Sequence, residues 1–206
     1  MRPNLLNPFG PRLLLASRSA RRVELLRLVG AQFDVCGTDV EERAEPGERA
    51  EPHVLRLAEA KARAGLAAAK RSEELVALGA DTIVTIDRAI LGKPDDAEDA
   101  KRMLRLLSGR VHEVWTGVSL VDAADGRSVS EAARSLVKFA PLMEPTIQSY
   151  VATGEPMDKA GAYAVQGYAA LFVEAIEGSY SNVVGLPLSH VKHLLDLLRG
   201  ARSGRG

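Results

Sequence analysis

The sequence predicts a mixed α/β fold, with a central mixed β-sheet flanked by helices, on three observations. Short apolar runs rich in β-branched residues alternate along the chain with stretches whose apolar residues recur at helical spacing. The dipeptide Asp125-Gly126, a preferred hairpin turn, separates two strand-like stretches mid-chain. A hairpin joins antiparallel strands, so its presence argues against a purely parallel sheet. At 206 residues, 46% of them hydrophobic, the chain has the size of one moderate domain or two small lobes with a packed core.

The first element is the run LLLA ending at Ala16, read as a buried strand. A helix follows, with Ser19 as its N-cap, apolar Val23, Leu25, Leu26 and Leu28, and Gly30 at its C-terminal end. Phe33 to Thr38 is a short strand. The acidic stretch DVEERAEPGERAEP, with Pro46, Gly47 and Pro52, reads as an exposed loop. Val54, Leu57, Ala58, Ala62 and Leu66 mark a helix over His53 to Ala69. Two β-rich runs, Val76 to Leu78 and Ile83 to Ile86, are separated by Gly79, Ala80 and Asp81.

LGKPD, from Leu91 to Asp95, is a turn. Asp96 caps a helix running to about Leu107, which Gly109 ends. Residues 110–139 are strand-rich around the hairpin, and Pro141 to Thr153 reads as a helix. Ala169 to Ile176 is a late strand, and Pro187 at the first helical position opens a final helix to about Arg199. The expected organisation is a loose leader over 1–11, a single domain over 12–199 and a disordered tail over 200–206.

Composition excludes several classes. Formal net charge is zero, with 27 basic and 27 acidic residues, so nothing suggests a basic face for duplex nucleic acid. No apolar run approaches the ~18 residues of a spanning helix, so no membrane partner is expected. The single cysteine, Cys36, excludes an internal disulfide and fits a reducing cytoplasm. The fingerprints of a P-loop, a dinucleotide-binding turn and a nucleophile elbow are absent. His190 and His193 lie three apart without a third ligand nearby in sequence, and read as surface or core residues rather than a metal pair.

Polar and charged residues gather at the ends of the apolar runs, where ligands of α/β sheets bind. Ser17, Ser19, Arg21 and Arg22 meet at a helix N-terminus, whose free N–H groups and dipole favour an anion. Glu41 or Glu42 follows a strand end and points into a site, or belongs to a solvated linker. Asp81, between two apolar runs, is either an exposed turn residue or a buried carboxylate that needs a cationic partner. Thr82 and Lys93 follow. A second set, Asp158, Lys159, Tyr163 and Gln166, lies among glycines and alanines that let backbone approach a ligand. Several cations with a few carboxylates and hydroxyls suit a polyphosphate and a divalent metal.

In order along the chain stand LASRSARRVELL, GADTIV, GKP, MLRLLSGRVHEVWTGV, DKAGAYAVQG and SNVVGLPL. In these blocks and their spacing the chain resembles the Maf family of nucleoside triphosphate pyrophosphatases. Ala20 stands where the family has proline, which pre-sets φ for helix entry. The resemblance implies a Maf/ITPase-like fold with a cleft between two lobes. It implies hydrolysis of a nucleoside triphosphate to the monophosphate and pyrophosphate by a cytoplasmic, metal-dependent homodimer, the metal being Mg²⁺ or alternatively Mn²⁺. Asp81 matches the catalytic proton acceptor, and Glu42 with Asp81 the metal ligands. Ser17, Ser19, Arg22, Lys61 and Lys93 match phosphate-binding positions. Arg21, Thr82 and Gln166 match the set of the dTTP/UTP type. The alternatives are a nucleotide-sensing regulator with little turnover, and the same chemistry with another base preference.

Overall fold

The structure, a computed structural model, describes residues 4–6, 12–69 and 75–203. Most of the expected leader, the last residues of the tail and the segment 70–74 lie outside that range. Among the described residues, seven strands form one mixed sheet: β1 (Arg12–Ala16), β2 (Phe33–Cys36), β3 (Leu75–Ile86), β4 (Ala89–Leu91), β5 (Val111–Asp122), β6 (Ser128–Phe139) and β7 (Val173–Glu177). Their order is β2-β1-β3-β5-β6-β7, with β4 paired to β3. β1 runs parallel to β2 and to β3, whereas the β3–β4 and β6–β7 pairs are antiparallel. The helices are α1 (Ala20–Leu28), α2 (Ala50–Ala68), α3 (Ala97–Leu107), α4 (Glu144–Ala152), α5 (Tyr180–Val184) and α6 (Leu188–Ser203).

The chain forms two compact units, each built from separate stretches of sequence. The first takes the chain to Asp81, Thr116–Ala133 and the stretch from Gly185 onward. In it β1, flanked on both edges, is buried from Leu13 to Ala16, which is why its sequence is continuously apolar. Helix α2 lies very close to the strands because three glycines admit it. A Cβ on Gly79 would stand 2.0 Å from the Ala58 carbonyl oxygen, one on Gly117 2.2 Å from that of Val54, and one on Gly65 2.6 Å from the Ala16 Cβ. Ala62, Ala77 and Val121 fill the contact so formed.

The second unit comprises Thr82–Trp115 and Arg134–Val184. Its core is aromatic. His112, Phe139 and Tyr163 meet one another edge to face, and Phe172 joins Phe139 to Tyr150 in the same way, with centroids 4.8–5.4 Å apart. The β3–β4 hairpin turns on Asp87 and Arg88, both at positive φ (51° and 67°), and Arg110 NH2 donates to the Asp87 carboxylate at 2.7 Å.

Several local expectations change. β3 is one unbroken strand, because Gly79 is needed there for helix contact and not for a turn. α2 begins at Ala50, three residues early, with Pro52 in the first turn, where its missing N–H costs nothing. Asp125-Gly126 is the end of a four-residue loop closed by Asp122 N–H donating to the Arg127 carbonyl. Tyr168–Leu171 is a 3-10 turn, so the last strand starts only at Val173. α6 continues through 200–203, where disorder was expected. Asp96 caps α3 as expected, accepting from Asp99 N–H at 2.8 Å.

Candidate active site

In the first unit, the strand–helix contact at Gly79 sets the site. Asp81 lies two residues beyond that glycine, and Lys61 lies on the helix pressed against it. Lys61 Nζ donates to Asp81 Oδ1 and to Glu42 Oε1, each at 2.6 Å. Lys61 and Asp81 are buried and Glu42 is partly exposed. Of the two readings of Asp81, the buried carboxylate with a cationic partner is the one the structure adopts. Glu42 stays exposed on the loop and turns its carboxylate onto the buried Lys61.

Arg22, in the first turn of α1, is buried. Its Nε donates to the Gly185 carbonyl at 2.8 Å and its NH1 to Ser17 Oγ at 3.1 Å. Burial pulls its pKa below the ordinary arginine value. Asp81 and Glu42 oppose that shift and Arg21 adds to it. Ser19 occupies the N-cap position but its side chain makes no cap bond. Ser17 Oγ instead accepts the Ser19 N–H at 3.2 Å. With two bonds accepted, the Ser17 hydroxyl retains its proton to donate.

In the second unit, Thr82 is half-buried and follows Asp81 directly in β3, so the two side chains leave opposite faces of that strand. Lys93 is exposed just past β4, and Gln166 is exposed between the 3-10 turns Ala160–Ala162 and Tyr168–Leu171. The glycines near Gln166 have protein neighbours: Gly161 (φ 68°) faces Val84, and Gly167 faces the Glu155 carboxylate. Tyr163, grouped with them in the sequence, points into the aromatic core and bonds His112 Nε2 at 2.9 Å.

A half-buried cluster escaped the sequence reading. Glu48 Oε2 meets His53 Nδ1 at 2.8 Å and Arg56 NH2 at 2.6 Å, and Arg56 Nε donates to Glu48 Oε1 at 2.7 Å. These bonds, Arg56 first, hold the Glu48 carboxyl well below the usual carboxylate range. The cluster ties the Glu42-bearing loop to the start of α2. His53 and Arg56 at i and i+3 share a helix face, which is the signal the sequence offered.

Among the described residues no three or more His, Cys, Asp or Glu side chains converge as a metal cage. His193 pairs with Glu131 at 2.8 Å on the surface. No described helix is long and apolar enough to cross a membrane.

The model of the Maf-like protein family matches residues 12–198. The chain is 54% identical over 187 residues to a dTTP/UTP pyrophosphatase of Citrifermentans bemidjiense, covering 91% of this chain and 94% of that protein. It is 52% identical over 184 residues to a dTTP/UTP pyrophosphatase of Geobacter metallireducens, covering 89% and 94%. A third such protein, from Hahella chejuensis, is 50% identical over 189 residues, covering 92% and 93%. Among solved structures, that of the Staphylococcus aureus Ham1 protein aligns with a TM-score of 0.45 and 14% identity, covering 95% of this chain and 100% of that one.

Proposed function

The chain belongs to the Maf family, and from that premise we propose that it hydrolyses nucleoside triphosphates, dTTP and UTP by preference, to the monophosphate and pyrophosphate. The observation that carries this reading is the buried Asp81 carboxylate held by Lys61 beside Glu42. A carboxylate fixed in place by a buried cation is positioned to orient a water for attack on a phosphate.

In the reaction a water oxygen bonds to the α-phosphorus, and the bridging bond to the β-phosphate oxygen breaks. Asp81 orients the water and receives its proton. Arg22, Lys61 and Lys93 hold phosphate oxygens, and their charge matters most as negative charge builds on departing pyrophosphate. Ser17 and Ser19 donate further hydrogen bonds to phosphate. Arg21, Thr82 and Gln166 select the base. The Gln166 amide offers both a donor and an acceptor, as the edge of uracil or thymine requires.

Glu42 and Asp81 together fit a divalent cation, Mg²⁺ or Mn²⁺: they are hard oxygen donors, two carboxylates suffice when substrate phosphates complete the shell, and Lys61 shows that the pair already accommodates positive charge between them. Bound there, such an ion would acidify water and neutralise phosphate oxygens. We extend the proposal to a cytoplasmic homodimer, as the family resemblance implies, with sedimentation of the purified chain as its check.

The test is pyrophosphate release from a panel of UTP, dTTP, CTP, dCTP, GTP and ATP with Mg²⁺. UTP and dTTP should show the highest kcat/KM, and chelation should abolish turnover. Binding of UTP without release of pyrophosphate overturns the reading. Gln166→Glu should move preference away from UTP, and an unchanged profile removes Gln166 from base selection.

A further inference from the structure

We propose that Tyr150 and Glu155 clasp the loop carrying Gln166 and thereby set the base selectivity of the enzyme, a proposal that rests on the reading of Gln166 as the base-recognising residue. The Gln166 side chain is exposed, so its position depends on the backbone beneath it. That backbone is held on both sides. Tyr150 OH donates to Glu155 Oε1 at 2.8 Å and accepts the Ala164 N–H at 3.2 Å. The other carboxylate oxygen, Oε2, accepts the Tyr168 N–H at 3.0 Å. One phenol and one carboxylate thus bind the chain two residues before Gln166 and two residues after it.

The remaining geometry serves the same contact. A Cβ on Gly167 would stand 2.1 Å from Glu155 Oε2, so only glycine lets the loop lie against the carboxylate. Gly167 N–H donates to the Ala164 carbonyl at 2.9 Å, closing the turn whose third residue is Gln166. Tyr150 is buried and its ring packs edge-on against Phe172 at 5.2 Å, which fixes the phenol before any ligand arrives. A recognition group displaced by about 1 Å can lose on the order of 100-fold in rate, so a loop held at two points is a means of discrimination.

The experiment measures kcat and KM for UTP and CTP in the full chain. Tyr150→Phe keeps the ring and removes both phenolic bonds, and Glu155→Gln keeps the shape and removes the charge. In each, the UTP-to-CTP ratio of kcat/KM should fall about 10-fold, the loss lying in KM for UTP with kcat within about twofold. Gln166→Ala should lower the ratio by itself, and Tyr150→Phe combined with Gln166→Ala should lower it no further than Gln166→Ala does, because both changes act through one contact.

A Gln166→Ala enzyme that keeps its ratio overturns the base-recognition reading and the clasp with it. A lowered ratio in Gln166→Ala beside unchanged ratios in Tyr150→Phe and Glu155→Gln overturns the clasp alone. A purely structural role lowers Tm and leaves the ratio intact, which likewise overturns it. Should Tyr150→Phe not fold, the Glu155→Gln ratio decides.

Discussion

Lys61 Nζ stands 2.6 Å from Asp81 Oδ1, with only 8% and 7% of the two side chains exposed. Charges taken out of water this far persist only when paired. Lys61 has a second carboxylate, Glu42, within the same distance, so the ammonium keeps a countercharge if one of the two carboxylates is neutralised.

Asp81→Asn should therefore fold. Its amide oxygen still accepts from Lys61, and Glu42 keeps a countercharge beside the ammonium. Turnover should nonetheless fall at least ~100-fold, the scale for loss of a general base or a key charge. Pyrophosphate release from UTP with a parallel melting curve checks both halves. Near-normal kcat would remove Asp81 from the chemistry.

Gly79→Ala reaches the same site through packing. The added methyl collides with the Ala58 carbonyl oxygen and, at 2.5 Å, with the Ala62 nitrogen, both of them helix backbone that cannot turn aside. A loss of about 1–3 kcal/mol is expected, as for other overpacked cores. Because the displaced helix carries Lys61, kcat should fall too. Gly126→Ala, at a loop glycine (φ 72°) with no atom within 4 Å of the added carbon, should cost less and leave turnover unchanged. Urea unfolding and steady-state assays of the two variants make the comparison.

Much of this was legible in the sequence. Apolar runs and helical spacing located the strands and helices, and the hairpin signal made the sheet mixed. Gly79 misled because glycine marks both turns and close approaches, and the two differ only in what packs against the residue. Asp81 could be read two ways for the same reason: its burial depends on Lys61, twenty residues away, and no local pattern carries that pairing. The Glu48 cluster lay in a stretch that looks solvated because it is rich in charge. Composition does not reveal that one carboxylate among several is turned inward against His53 and Arg56.

Stability should follow pH through His112. It is buried, and its Nδ1 lacks a hydrogen-bond partner among the described residues. Burial pushes its pKa down to about 4 from 6.5. The unfolded chain therefore takes up this proton first. Stability is full above about pH 6.5, declines as pH falls toward 4, and loses roughly 3 kcal/mol from this group across that window. Glu48, whose pKa is also depressed, adds its loss only below its ordinary value of 4.5. Urea midpoints from pH 7.5 to 4 should show the slope in the parent and lose it in His112→Gln. Equal slopes in the two would assign the effect to another group.

The tight turn between β3 and β4 leaves a margin for engineering. Asp87 and Arg88 both adopt the left-handed backbone that suits Asn or Gly, and a side chain such as that of Arg88 adopts it at a cost of about 1 kcal/mol. Arg88→Gly should raise the melting temperature by a few degrees. Since the pairs Val84–Leu91 and Ile86–Ala89 already fix the hairpin register, that gain comes without redrawing the strands, and it supplies a sturdier background in which damaging active-site variants can still be purified and assayed.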